Sequence, residues 1–116
     1  MTDTAVREAI SAAVNTVEGF NCSPWFKQTT RTGDAIVSYA GSTRSENGFG
    51  YMNRWQVLVI LPADIANAEK YLTDHLDALI TAVESELIVQ TVTPSTLTLD
   101  VGTVPGVVIE GVRARS

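Results

Sequence analysis

A chain of 116 residues, 45% hydrophobic and 18% charged, has room for one hydrophobic core and enough apolar side chains to fill it, which excludes disorder along its whole length. Its net charge of −5 disfavours the basic stripe with which nucleic-acid binders neutralise phosphates. The single cysteine, Cys22, rules out an internal disulfide and a multi-cysteine metal site, and the longest apolar run, VLVILPA, falls far short of the roughly 18 residues of a membrane span. One soluble domain is expected, without a leader segment and made in a reducing compartment.

In chain order, TDTAVREAISAAVNTV places Val6, Ile10, Ala13, Val14 and Val17 at helical spacing behind Asp3 or Thr4 as N-cap. This predicts a short amphipathic helix ending at Glu18-Gly19. FNCSPWFKQ reads as an extended segment that Pro24 confines to a sheet edge, and the turn signal RTGD predicts a hairpin between it and a short strand around Ile36 to Tyr39. A polar, glycine-bearing loop from Gly41 to Gly50 follows. In RWQVLVILPAD, Trp55, Val57, Val59 and Leu61 share one face while Leu58 and Ile60 occupy the other, so this is the central strand, covered at least partly on both sides.

Pro62 stops that strand, and Asp64 caps a long second helix on which Ile65, Ala68, Leu72, Leu76, Leu79, Ile80 and Val83 form an apolar stripe. The remainder, rich in valine and threonine and broken by Pro94, Gly102 and Pro105-Gly106, predicts two antiparallel strands, the last supplied by Val107, Ile109 and Val112. The order α-β-β-β-α-β-β implies an α+β fold: a mostly antiparallel sheet of about five strands packed against two helices.

The residues argue against an enzyme. In NGFGYMN, Gly48 and Gly50 precede a strand, so no helix N-terminus is there to receive a phosphate. The lone histidine, His75, has Ala78 and Leu79 at i+3 and i+4, where a metal or catalytic partner would stand, and reads as a half-exposed helix residue beside the apolar stripe. No serine lies in a Gly-x-Ser-x-Gly elbow, and Glu84 and Glu86 point to different sides of their helix. No catalytic, metal or cofactor-binding residue is expected.

Charge is more informative. Between Asp64 and Asp100 stand Asp64, Glu69, Asp74, Asp77, Glu84, Glu86 and Asp100 against Lys70, whereas Arg31, Arg44 and Arg54 lie in the strand-and-loop half. Such segregation is either a solvated helix face or a means for one side of a subunit to meet the opposite side of a neighbour.

The succession of a short helix, a hairpin, a long polar loop, RWQVLVILPAD, a helix opening ADIANAEKYLTDHLDAL and two closing strands resembles the tail terminator proteins of long-tailed bacteriophages. The likeness spans nearly the whole chain and rests on length, order and the strand followed by ADxxxAxxxLxxxLD at Ala63 to Asp77, with no catalytic signature. It implies a structural virion protein, formed in the host cytoplasm, whose copies ring the end of the tail tube as a hexamer, halt its polymerisation and meet the head-completion proteins of the neck. On that likeness the loop is an arm, mobile in a lone subunit, whose Arg44, Asn47, Phe49, Tyr51 and Arg54 contact a neighbour or the tube. Aromatics and arginines carry most interface energy, although Tyr51 and Trp55 also suit strand positions that fill the core. DNA passing through the ring without sequence-specific binding implies acidic side chains on the channel wall, drawn from Glu69, Asp74, Asp77, Glu84 and Asp100. The competing readings are another neck or tail-tube subunit, and a small-ligand or regulatory binding domain, for which an apolar pocket with convergent polar groups discriminates.

Overall fold

A computed structural model describes residues 3–26, 31–44, 50–99 and 102–114 of the chain. Helix α1 spans Asp3–Asn15, followed by strands β1 (Asn21–Ser23), β2 (Asp34–Arg44) and β3 (Tyr51–Ile60), helix α2 (Ile65–Glu84), and strands β4 (Ile88–Leu99) and β5 (Gly102–Ala114). The order is α-β-β-β-α-β-β, and the five strands form one mixed sheet in the order β1-β2-β3-β5-β4. The fold is α+β, with β3 at the centre of the sheet.

Both helices lie on one face of that sheet. On α1, the stripe of Val6, Ile10 and Val14 is buried; on α2, Ala68, Leu79 and Val83 are buried, and the side chain of Ile65 lies outside the described set. These residues meet Ala35, Val37, Trp55, Val57, Val59, Val107 and Ile109 of the strands in one core cluster. Each buried valine, leucine or isoleucine stabilises the fold by roughly 1.5 to 3 kcal/mol. Asp64 caps α2 as the sequence predicts, its carboxylate accepting from the backbone N–H groups of Ala66 at 2.9 Å and Asn67 at 3.4 Å. No helix among the described residues is long and apolar enough to cross a membrane.

Five expectations need correction. First, β1 does not form a hairpin with β2 but runs parallel to it, with Asn21 opposite Asp34 and Ser23 opposite Ile36. The turn at RTGD is real, with the Asp34 N–H donating to the Arg31 carbonyl at 3.1 Å, but it closes a longer excursion. The direction of β1 is set from α1: the Asn15 side-chain amide accepts from the Cys22 N–H at 2.6 Å and donates to the Cys22 carbonyl at 3.2 Å, and the Ser11 hydroxyl donates to the same carbonyl at 2.7 Å.

Second, Gly41–Arg44 is strand, not loop. After an irregularity at Ala40, where Gly41 takes a φ of +118°, β2 continues to pair with β3 through Ser42 opposite Asn53 and Arg44 opposite Tyr51. Third, Pro94 and Pro105 lie within strands. Pro94 sits on the edge strand β4, where no inner ladder needs its N–H, and Pro105 sits where β3 has already ended, its carbonyl accepting from the Leu61 N–H at 3.0 Å. Fourth, α1 ends at Asn15, before Glu18-Gly19, and Asp3 already lies in its first turn. Fifth, on the face of β3 away from the helices, Ile60 is buried, but Arg54, Gln56 and Leu58 are half-buried, so coverage of the central strand is one-sided over most of its length.

Candidate functional site

The β2–β3 hairpin runs past the N-terminal end of α1 and carries its helix-side face beyond the core. Alternation along β3 puts Tyr51, Asn53 and Trp55 on that face, and the register puts Arg44, Ser42 and Tyr39 opposite them. Trp55 is 1% exposed and belongs to the core; Tyr39 and Tyr51 are exposed. Beside them, just after β1, Trp25 and Phe26 are exposed as well.

Arg7 ties these elements together. Its guanidinium carbon lies 4.4 Å from the centre of the Trp25 ring and 5.3 Å from that of Trp55, and one of its terminal nitrogens donates to the carbonyls of Pro24 at 3.1 Å and Val37 at 3.2 Å. An arginine between two indoles gains from the negative faces of both, about 0.5 to 2 kcal/mol each according to solvent access. From Trp55 the contact chain continues outward. Tyr39 meets Trp55 edge-on with ring centres 5.2 Å apart, the Tyr39 and Ser42 hydroxyls are hydrogen-bonded, and Ser42 donates to the Asn53 side-chain oxygen at 2.7 Å. At the far end Arg44 lies over the Tyr51 ring at 5.1 Å and donates to its hydroxyl at 3.1 Å.

The result is a surface of aromatic rings and two guanidinium groups, joined by contacts to the residues beneath it. The indole Nε1 of Trp55 is buried there with no hydrogen-bond partner among the described residues. Its chemistry is that of recognition: flat apolar area, a few fixed donors, positive charge.

Of the residues expected at an interface, Arg44 and Tyr51 stand together on this surface. Arg54 does not; it points to the other face of the sheet, where one terminal nitrogen approaches the Ala40 carbonyl at 3.4 Å. Asn47 and Phe49 lie outside the described residues, as does Asp100 of the acidic set. Glu69, Asp74, Asp77 and Glu84 are all exposed on the outer face of α2. Glu86 is set apart from them by its ion pair with Arg113 at 2.8 Å. Arg7, Trp25 and Tyr39 were missed by sequence reasoning, although Arg7 carries a signal: it precedes Ile10 by three residues and Val14 by seven, so it shares their helix face.

His75 is half-buried in an aromatic junction between α2 and the segment joining α1 to β1, its ring 4.3 Å from that of Tyr71 and 5.5 Å from that of Phe20, with Nδ1 at 2.8 Å from the Tyr71 carbonyl. Burial raises the Tyr71 hydroxyl above its usual pKa. Among the described residues no three His, Cys, Asp or Glu side chains gather into a metal-holding group. A cavity of 210 Å³ lies between α2 and the β4–β5 hairpin, lined by Leu61, Ala68, Leu72, Pro94 and Pro105 with Glu69 and Ser95 at its margin. Ordinary ligand pockets hold roughly 300 to 1,000 Å³ and converge several polar groups on the occupant. Compared with known protein families and with curated protein sequences, the chain matches none.

Proposed function

We propose that the protein is a structural subunit of a long-tailed bacteriophage virion: a tail terminator whose copies ring the end of the tail tube, stop its growth and join the tail to the neck. The reading starts from the order and texture of the elements, which resemble that family along nearly the whole chain. The observation that carries it furthest is the surface of Trp25, Tyr39, Arg44 and Tyr51, exposed in the lone chain around a half-buried Arg7 and of the composition that dominates protein interfaces. Assembly requires such a surface and no reactive group.

The competing small-ligand reading has the cavity beside α2 in its favour, but its volume of 210 Å³ and mostly apolar wall suit a packing defect better than a recognition site. The test is direct. Purified chain is added to growing tail tubes, and tube length and end structure are followed by electron microscopy; native mass measurement follows the chain alone. Rings at tube ends with arrested growth support the terminator. Tubes that lengthen unchecked, with a chain that never self-associates, refute it.

A further inference from the structure

Two exposed surfaces of opposite charge lie on opposite flanks of the sheet. The arginine and aromatic surface stands on β2, β3 and the segment after β1, beside Arg7 of α1; helix α2 packs over β4 and β5 at the other flank. The outer face of α2 carries Glu69, Asp74, Asp77 and Glu84 against Lys70 alone, all of them exposed. Asp77 and Glu84, seven residues apart, stand two turns along one line of the helix.

The backbone edges of the sheet are unsuited to joining copies. At β1 the Cys22 N–H and carbonyl are taken by Asn15 and Ser11, and where β2 emerges beyond β1 the Val37 carbonyl is taken by Arg7. Strand β2 is irregular at Ala40, and β4 is irregular at Gln90 and carries Pro94. Bulges and edge prolines are the devices that discourage strand-to-strand pairing. Association therefore runs through side chains.

We infer that the acidic outer face of α2 of one copy docks on the Arg44 and Tyr51 end of the aromatic surface of the next, a head-to-tail contact between two different surfaces. The inference rests on the ring reading and specifies its interface. Because the two surfaces differ and occupy opposite flanks, each copy offers one of each, and the contact propagates until a ring closes. It also assigns α2 to the subunit boundary, in place of the channel wall. Charge complementarity gives the contact its register, and raised salt weakens it.

The experiment uses two full-length variants, R44E and D77R/E84R, in which only exposed side chains change. Each alone loses ring formation, with association weakened about tenfold or more. Mixed together they assemble again, because the acidic α2 of R44E meets the native Arg44 surface of D77R/E84R, while the two reversed surfaces, the basic α2 of one variant and the acidic hairpin end of the other, also carry opposite charge. Sedimentation velocity reads both results. Rings that form equally well from either variant, or a mixture that stays unassembled, overturn this interface alone; rings of D77R/E84R that retain DNA return α2 to the channel wall. A wild-type chain that stays monomeric both alone and with tubes overturns the ring reading and this inference together.

Discussion

The guanidinium of Arg7 lies 4.4 Å over the ring of Trp25. That contact joins α1 to the segment after β1, while the donations to Pro24 and Val37 join it to the backbone on either side. A lysine ammonium cannot stack flat on one indole while reaching two carbonyls, so Arg7→Lys is expected to lose most of what Arg7→Ala loses, about 1 to 3 kcal/mol. Urea denaturation followed by tryptophan fluorescence measures the loss, and Trp25 emission shifts red in the folded protein as the stacking is released. A lysine variant as stable as wild type rules out the stacked geometry as a source of stability.

Edge protection at β1 gives a prediction about coupling. The Cys22 carbonyl accepts from both Ser11 and Asn15, so either single alanine variant removes one of these donors, and the pair removes both. Ser11→Ala and Asn15→Ala are each expected to cost about 1 kcal/mol, and the double variant more than their sum by about 0.5 to 2 kcal/mol. A double-mutant cycle in urea decides it; strict additivity contradicts the shared acceptor.

How much of this fold was legible depends on whether the deciding partner is local. The Asp64 cap and the α2 stripe are written within a few turns of helix: α2 begins as read, and Ala68, Leu79 and Val83 of the stripe are buried with Leu72 packed against them, while Leu76 and Ile80 stay half-buried. The alternation at Trp55, Val57 and Val59 likewise named the buried face of β3. The direction of β1 was not legible, because Asn15 and Ser11 on another element hold it and no local pattern records that. Nor was the true length of β2, since Gly41 and the polar residues after it look like loop until Asn53 and Tyr51 are seen opposite them. Half of the candidate surface was legible in Arg44 and Tyr51; the other half, Arg7 and Trp25, is brought together only by the packing of α1 on the sheet.

Two glycines with nearly the same backbone conformation separate strain from contact. Gly19 and Gly33 have φ of +90° and +89°, but a Cβ on Gly19 meets nothing within 4 Å, whereas one on Gly33 comes 2.5 Å from the Gly19 carbonyl oxygen. Gly19→Ala is expected to cost about 1 kcal/mol, for the left-handed conformation alone. Gly33→Ala adds a backbone collision and is expected to cost at least about 2 kcal/mol more, read as a difference in thermal midpoint of roughly 8 °C or more. Equal midpoints would remove the collision.

Tyr71 gives the alkaline limb of stability its sign. Burial lifts its hydroxyl above the ordinary 10.0 in the folded state. Below pH 10 the phenol is neutral in both states and its packing against Phe20 and His75 counts in full. As pH rises past the unfolded value, the unfolded chain loses its proton first, and the folded state loses stability until its own raised value is passed. Wild-type stability should therefore fall more steeply above pH 10 than that of Tyr71→Phe, which keeps the ring and has no proton to lose. Urea midpoints of the two proteins measured from pH 8 to pH 11 test this: their difference should be constant below pH 10 and shift in favour of the phenylalanine variant above it. Parallel curves across the whole range would mean that the Tyr71 hydroxyl ionises as readily in the folded chain as in the unfolded one.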